Sequence, residues 1–134
     1  MTKTYQEVAR VLTNGGVYIS QHKQPTSMQA GIEPEQGSYR LKQSYFFKQP
    51  LPASAKPNLI REDGTQEYIH RWEELIGHMC RAGLFIEDLT EPLHAKRDAA
   101  VGSFEHRSQF IAPYVRIKAR KHGPAQTKST LIQP

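Results

Sequence analysis

Cysteine is almost missing from this chain of 134 residues, where Cys80 stands alone. A single thiol excludes an intrachain disulfide framework and fits a reducing, cytosolic setting. With no nucleophile's partner evident nearby, Cys80 is read as a buried thiol on a helix. Long apolar runs are missing too. None approaches the roughly 20 residues that cross a bilayer, and the N-terminal MTKTYQEVAR lacks the apolar stretch of a secretory signal. No membrane partner is expected, and the expected location is the cytoplasm. Core formers are sparse: hydrophobic residues make up 37% and the mean hydropathy is -0.65. That composition is globular, and the length suits one domain.

Acidic residues disappear after Glu105, where six basic ones follow: Arg107, Arg116, Lys118, Arg120, Lys121 and Lys128. The other 12 of the 18 Lys and Arg face 13 acids, so the surplus behind the net charge of +5 belongs to one strand and a tail. So local a surplus is poor ground for a nucleic-acid partner. The stripe Arg116, Lys118, Arg120 and Lys121 also lacks aromatics interleaved on its face, so salt bridging or solvation is its expected role.

Periodicity then gives an order of elements. Tyr5, Val8, Ala9, Val11 and Leu12 recur at helical spacing, which predicts a helix over residues 3–13 stopped by Asn14-Gly15-Gly16. Val17 to Ser20 reads as a buried strand ending near His22. Residues 23–64 carry five of the nine prolines and read as an irregular insert, within which SYRLKQSYFF (Ser38 to Phe47) alternates as an extended segment. A second helix is predicted over residues 66–82, capped by Thr65 and ended by Gly83, with Tyr68, Trp72, Leu75, Met79 and Ala82 along one stripe. LFIEDL (Leu84 to Leu89) is a strand, followed by a polar linker to about Ser108. The last strand, Gln109 to Lys121, sets Val115, Ile117 and Ala119 on one face against Arg116, Lys118 and Arg120 on the other. Residues 123–134 read as a flexible tail. A crossover helix makes successive strands parallel, whereas the short final connection suits an antiparallel pair. The fold class expected is therefore α/β with a small mixed sheet. His70, Glu74 and His78 would follow one another at intervals of four on the second helix, too far apart at the ends for one metal ion.

These words in this order resemble the C-terminal half of class I S-adenosylmethionine-dependent methyltransferases. EVARVLTNGG is similar to the family's helix before its fifth strand, and VYIS to that strand. YIHRWEELIGHMCRAGLFIEDLTEP resembles the next helix and sixth strand, and YVRIKARK the closing antiparallel strand. The likeness covers residues 4–122, so residues 1–122 are read as a methyltransferase-like C-terminal half. It leans toward small-molecule methyltransferases and away from those acting on nucleic acid.

The resemblance implies a partial Rossmann-like fold that lacks the cofactor-binding half. In the family, a glycine-rich loop after the first strand and an acid ending the second hold the methyl donor. Gly15-Gly16 instead precedes a strand, whereas a loop that cradles a nucleotide follows one. No cofactor-binding or metal residue is assigned, and S-adenosylmethionine is expected only if a partner supplies its site. The partner expected is a second copy, forming a homodimer, or a chain carrying the missing N-terminal half, because an unpaired apolar first strand recruits one. The chain is read as a fragment or one chain of a split enzyme, inactive alone. The alternative is a noncatalytic small-ligand-binding or assembly module derived from the same fold. Candidate acceptor residues lie beyond the strand ends: His22 as a possible general base, with Gln24, Tyr39, Tyr45, Phe47, His70 and Arg71 around a small ligand.

Overall fold

The computed structural model describes residues 1–52 and 66–123. The Thr65 cap, part of the insert and nearly all of the tail lie outside the described residues. The described chain forms two compact units, and it passes between them at residues 22–23, 71–72, 91–92 and 114–115.

The first unit holds the sheet. Helix α1 (Thr2–Val11) buries Tyr5 and Ala9 on one face. It ends at Val11, with Leu12 already extended at φ −73° and ψ 140°, two residues earlier than the expected 13, and the left-handed Gly15, at φ 78°, lies in the turn that follows. Gly16 follows in a turn so tight that a Cβ there would meet the Thr13 carbonyl oxygen at 2.8 Å. Strand β1 (Val17–Lys23) comes next. A wide π-helical segment (Glu73–Gly77) runs into α3 (His78–Arg81), and Gly83 turns the chain into β2 (Leu84–Thr90). Strand β3 (Tyr114–Lys121) lies in the middle, in the order β1-β3-β2. It runs antiparallel to β2, with Leu84 opposite Lys121 and Thr90 opposite Arg116. Along β1, the Gly16 carbonyl accepts from the Lys121 N–H while the Gly15 N–H donates to the Lys121 carbonyl at one end, and Gln24 donates to the Pro113 carbonyl at the other, so that pairing is antiparallel as well. β1 and β2 therefore run in the same direction, as a crossover predicts, with the reversed β3 between them.

Alternation along β3 follows the sequence pattern: Val115, Ile117 and Ala119 are fully buried, and Arg116 and Lys118 are exposed. These three join Tyr5, Ala9, Met79 and Leu84 in the core, with Trp72 and Ile76 packed on it. The basic face is matched locally. Phe85 stands opposite Arg120, so alternation puts Glu87 on the same basic side of the ladder, where the register shifts between Ile86 and Asp88 in a bulge. Glu87 binds Arg120 and, at 3.1 Å, Lys118. Arg116 donates to Gln21 at 2.8 Å, and Lys121 Nζ to the Leu12 carbonyl at 2.7 Å.

Three expectations need correction here. β1 is an edge strand with no fully buried residue, and Ile19 is 71% exposed, so the buried strand foreseen at Val17 to Ser20 is half uncovered. Cys80 is exposed, because the stripe through Leu75 and Met79 turns the next position outward. The second helix starts near residue 72, not 66. The Glu67 carbonyl, which a helix would offer to residue 71, accepts instead from the Leu51 N–H at 2.7 Å. His70 thus lies before the helix, and its assumed spacing to Glu74 and His78 does not apply.

The second unit contains α2 (Pro25–Gln29), the rest of the insert and α4 (Phe104–Arg107). Ser38 to Phe47 forms no regular strand. Its start folds back in a loose hairpin, with Ala30 opposite Leu41 and Glu35 opposite Ser38. Gln36 and Gly37 both have positive φ, 50° and 77°, as a two-residue hairpin turn of this hand requires. Residues 109–113 precede β3 as a turn, so the last strand begins five residues later than the pattern suggests. No helix among the described residues is long and apolar enough to cross a membrane.

Candidate functional site

The second unit is organised around Arg107. Ser103 caps α4, its hydroxyl accepting from the His106 backbone N–H at 3.1 Å, and this fixes the turn that carries Arg107. The guanidinium donates to the Ser27 carbonyl at 2.6 Å, the Ser27 hydroxyl at 2.8 Å, the Gly31 carbonyl at 3.0 Å and the Ala30 carbonyl at 3.3 Å. These oxygens include those left over at the end of α2, where a cation also meets the negative end of the helix dipole. Burial pushes the Arg107 pKa below its ordinary value, against the opposing pull of Tyr39. Tyr39 Oη lies 2.7 Å from His106 Nδ1, and its ring packs against Phe110 at 5.5 Å.

Within this unit opens a cavity of about 640 Å³, a size typical of small-molecule sites. Met28, Ile32, Leu51, Pro52, Phe104 and Tyr114 provide apolar wall. Polar lining comes from Lys23, Gln29, Lys42, Glu67, Ser103 and Arg107, among others. Lys23 is paired with Glu67, and Lys42 with Glu35 at 2.7 Å. Behind the aromatic wall, His94 packs edge-on against Phe104 at 5.8 Å and Tyr114 at 5.4 Å. Its Nε2 is buried with no hydrogen-bond partner among the described residues.

The residues singled out from sequence are placed as follows. His22 is in β1, in the first unit, with Nε2 2.9 Å from the Ser20 hydroxyl. The other six belong to the second unit. Gln24 caps α2, its Oε1 accepting from the Ser27 N–H at 2.8 Å, so its amide oxygen is engaged. Tyr39 joins His106, Phe110 and Arg107. Tyr45 meets Phe46 edge-on at 5.4 Å, and Arg71 stands over the same Phe46 ring at 5.2 Å. Phe47 is half-buried, its N–H turning back to the Ser44 carbonyl, and His70 is half-buried beside Arg71 in sequence. None of the seven lines the cavity described above. Gln29, Phe104, Arg107 and Tyr114, which do line it, were missed. The one available signal was the Ser103 cap before an aromatic and a cation in FEHR.

The site residues do not fit S-adenosylmethionine in the manner the fold family uses. The strand-to-helix junction from β1 to α2 is Gln24-Pro25, with no glycine, and α2 is only five residues long. Gly15 and Gly16 spend their backbone groups on Thr13 and Lys121. Between β2 and α4 the linker has one glycine, Gly102, where a Cβ would lie 3.2 Å from Glu33 Oε2. That close approach belongs to loop packing within the second unit.

Comparison with known proteins agrees with the architecture. No family model and no curated protein matches the sequence. Solved structures do match the fold. A Listeria monocytogenes protein described as an S-adenosylmethionine-dependent methyltransferase superposes with a TM-score of 0.66 at 18% identity, over 92% of this chain and 55% of that one. An S-adenosylmethionine-dependent methyltransferase from Mesorhizobium loti gives 0.59 at 16% identity, over 89% and 54%. The chain thus has an α/β methyltransferase-like fold and spans about half the length of the structures it matches.

Proposed function

We propose that this chain is the C-terminal, acceptor-side half of a small-molecule methyltransferase, inactive alone. S-adenosylmethionine would bind only where another polypeptide segment supplies the cofactor half. The partner is a chain carrying that half, with a second copy as the other candidate, and the setting is the cytosol. The observation that carries this is the coverage: nearly all of this chain superposes on about half of each methyltransferase. The commitment of Gly15 and Gly16 to a turn and a sheet end supports it. So does β1, an edge strand among the described residues, where Val17 and Ile19 are 38% and 71% exposed.

Calorimetric titration of S-adenosylmethionine into the purified chain tests the proposal. A flat titration is expected, and saturable binding by the 15.3 kDa monomer overturns it. A noncatalytic ligand-binding module is the second reading, favoured by a cavity built entirely from one unit. Methyl transfer by an assembly completed with the cofactor half would decide against it.

A further inference from the structure

The chemistry of the second unit's cavity narrows what it can hold. Gln29 is a buried polar residue, 5% exposed, that lines the cavity. Its backbone carbonyl accepts from Lys42 and Gln43, but its side-chain amide makes no hydrogen bond among the described residues. The side-chain atoms both sealed and unpartnered there are Tyr5 Oη and His94 Nε2. The unpaired Gln29 amide is therefore not sealed, and its residue is part of the cavity wall. A buried amide left without a partner costs stability, which a ligand meeting it recovers.

Charge selects the kind of ligand. The lining carries three cations, Lys23, Lys42 and Arg107, against two carboxylates, Glu33 and Glu67. Both lysines are matched by glutamates. Arg107 differs: all its hydrogen bonds among the described residues go to neutral oxygens, and one Nη1 hydrogen of its five N–H groups is unused. Those oxygens belong to Ser27, Ala30 and Gly31, the sequence neighbours of Gln29, and Gln29 and Arg107 both line the cavity. An amide N–H beside a cation lacking an anion suits a carboxylate. The Phe104 and Tyr114 rings, with Met28 and Ile32, suit a flat apolar body.

We propose that this cavity binds a small aromatic monocarboxylic acid, its carboxylate at Gln29 and Arg107 and its ring along Phe104 and Tyr114. That the acid is the methyl acceptor rests on the function proposed above; its binding does not.

The test is a titration of the chain alone with 2-naphthoate, 2-naphthamide and 2-naphthylmethylammonium, followed by calorimetry and by backbone amide NMR shifts. The acid is expected to bind saturably, with Kd below about 1 mM, at least about tenfold tighter than the amide, and the cation not at all. Gln29→Leu, checked for an unchanged NMR fingerprint outside the cavity, should weaken the acid by about tenfold. Equal or tighter binding of the amide or the cation overturns the proposal, as does an unaffected Gln29→Leu or the absence of acid binding. Neither cofactor nor partner is needed, so failure here leaves the methyltransferase half standing. Acid binding without methyl transfer in a completed assembly would overturn that function and leave this site intact.

Discussion

Tyr39 and His106, 67 positions apart in sequence, meet through a 2.7 Å contact between Oη and Nδ1. It ties the returning arm of the loose hairpin to α4. A part-buried bond of this kind is worth about 0.5–1.5 kcal/mol. Tyr39→Phe keeps the ring on Phe110 and removes the bond. The expected outcome is a loss of about 1 kcal/mol in urea denaturation, with a shifted His106 ring resonance in NMR. An unmoved resonance would show that the contact is not formed in solution.

Glu87 gives an acid dependence. Its hydrogen bond to Arg120, and then that to Lys118, hold its pKa down to about 2 from 4.5. A depressed carboxylate contributes stability that is complete above its unfolded value. The contribution should therefore fade as pH falls from 4.5 toward about 2. Glu87→Gln should flatten that part of the stability profile and leave the neutral and alkaline parts unchanged.

Tyr5 acts at the other end of the scale. It is 1% exposed, its hydroxyl has no partner among the described residues, and burial followed by repulsion from Tyr18 pushes its pKa up to about 12 from 10.0. The buried state resists ionisation, so stability intact below pH 10.0 should be lost as pH climbs toward 12. Tyr5→Phe should remove this part of the alkaline loss. At neutral pH it should be neutral or stabilising by up to about 1 kcal/mol, since a stranded hydroxyl is deleted without changing the packing.

Ile19 tests assembly. At 71% exposure on an edge strand, it adds little to the fold. Ile19→Lys should change stability by no more than about 0.5 kcal/mol. A charge on an edge blocks strand addition, so sedimentation velocity should find the wild-type chain associated and the variant monomeric. Identical behaviour would remove β1 as the contact surface.

Much of the first unit was legible because its signals are local. Gly83 marks a real helix end, Gly15 marks the turn before β1, and Val115, Ile117 and Ala119 alternate with Arg116 and Lys118 as a half-buried strand must. What failed there depended on neighbours. Whether Val17 to Ser20 is covered depends on which strands flank it, and its own residues carry no record of that. The helix start was overestimated because Tyr68 and Ile69 continue the apolar stripe, while a distant backbone group, Leu51 N–H, claims the Glu67 carbonyl. The site was the least legible part. Aromatic residues in the insert drew notice, but Gln29 and Arg107 become significant only through burial and through partners 76 to 80 positions away. The hairpin that pairs Ala30 with Leu41 turns at Gln36-Gly37, where only the glycine was a sequence cue.

Strand β3 lies between β1 and β2 yet is the last of the three in sequence. During synthesis the two outer strands therefore leave the ribosome before the strand that joins them in this sheet. The β1-β3-β2 order cannot be completed until Lys121 has cleared the exit tunnel. In that interval β1 and β2 wait without the Val115, Ile117 and Ala119 side chains that fill the centre of the core, and it is there that a chaperone would find most to hold.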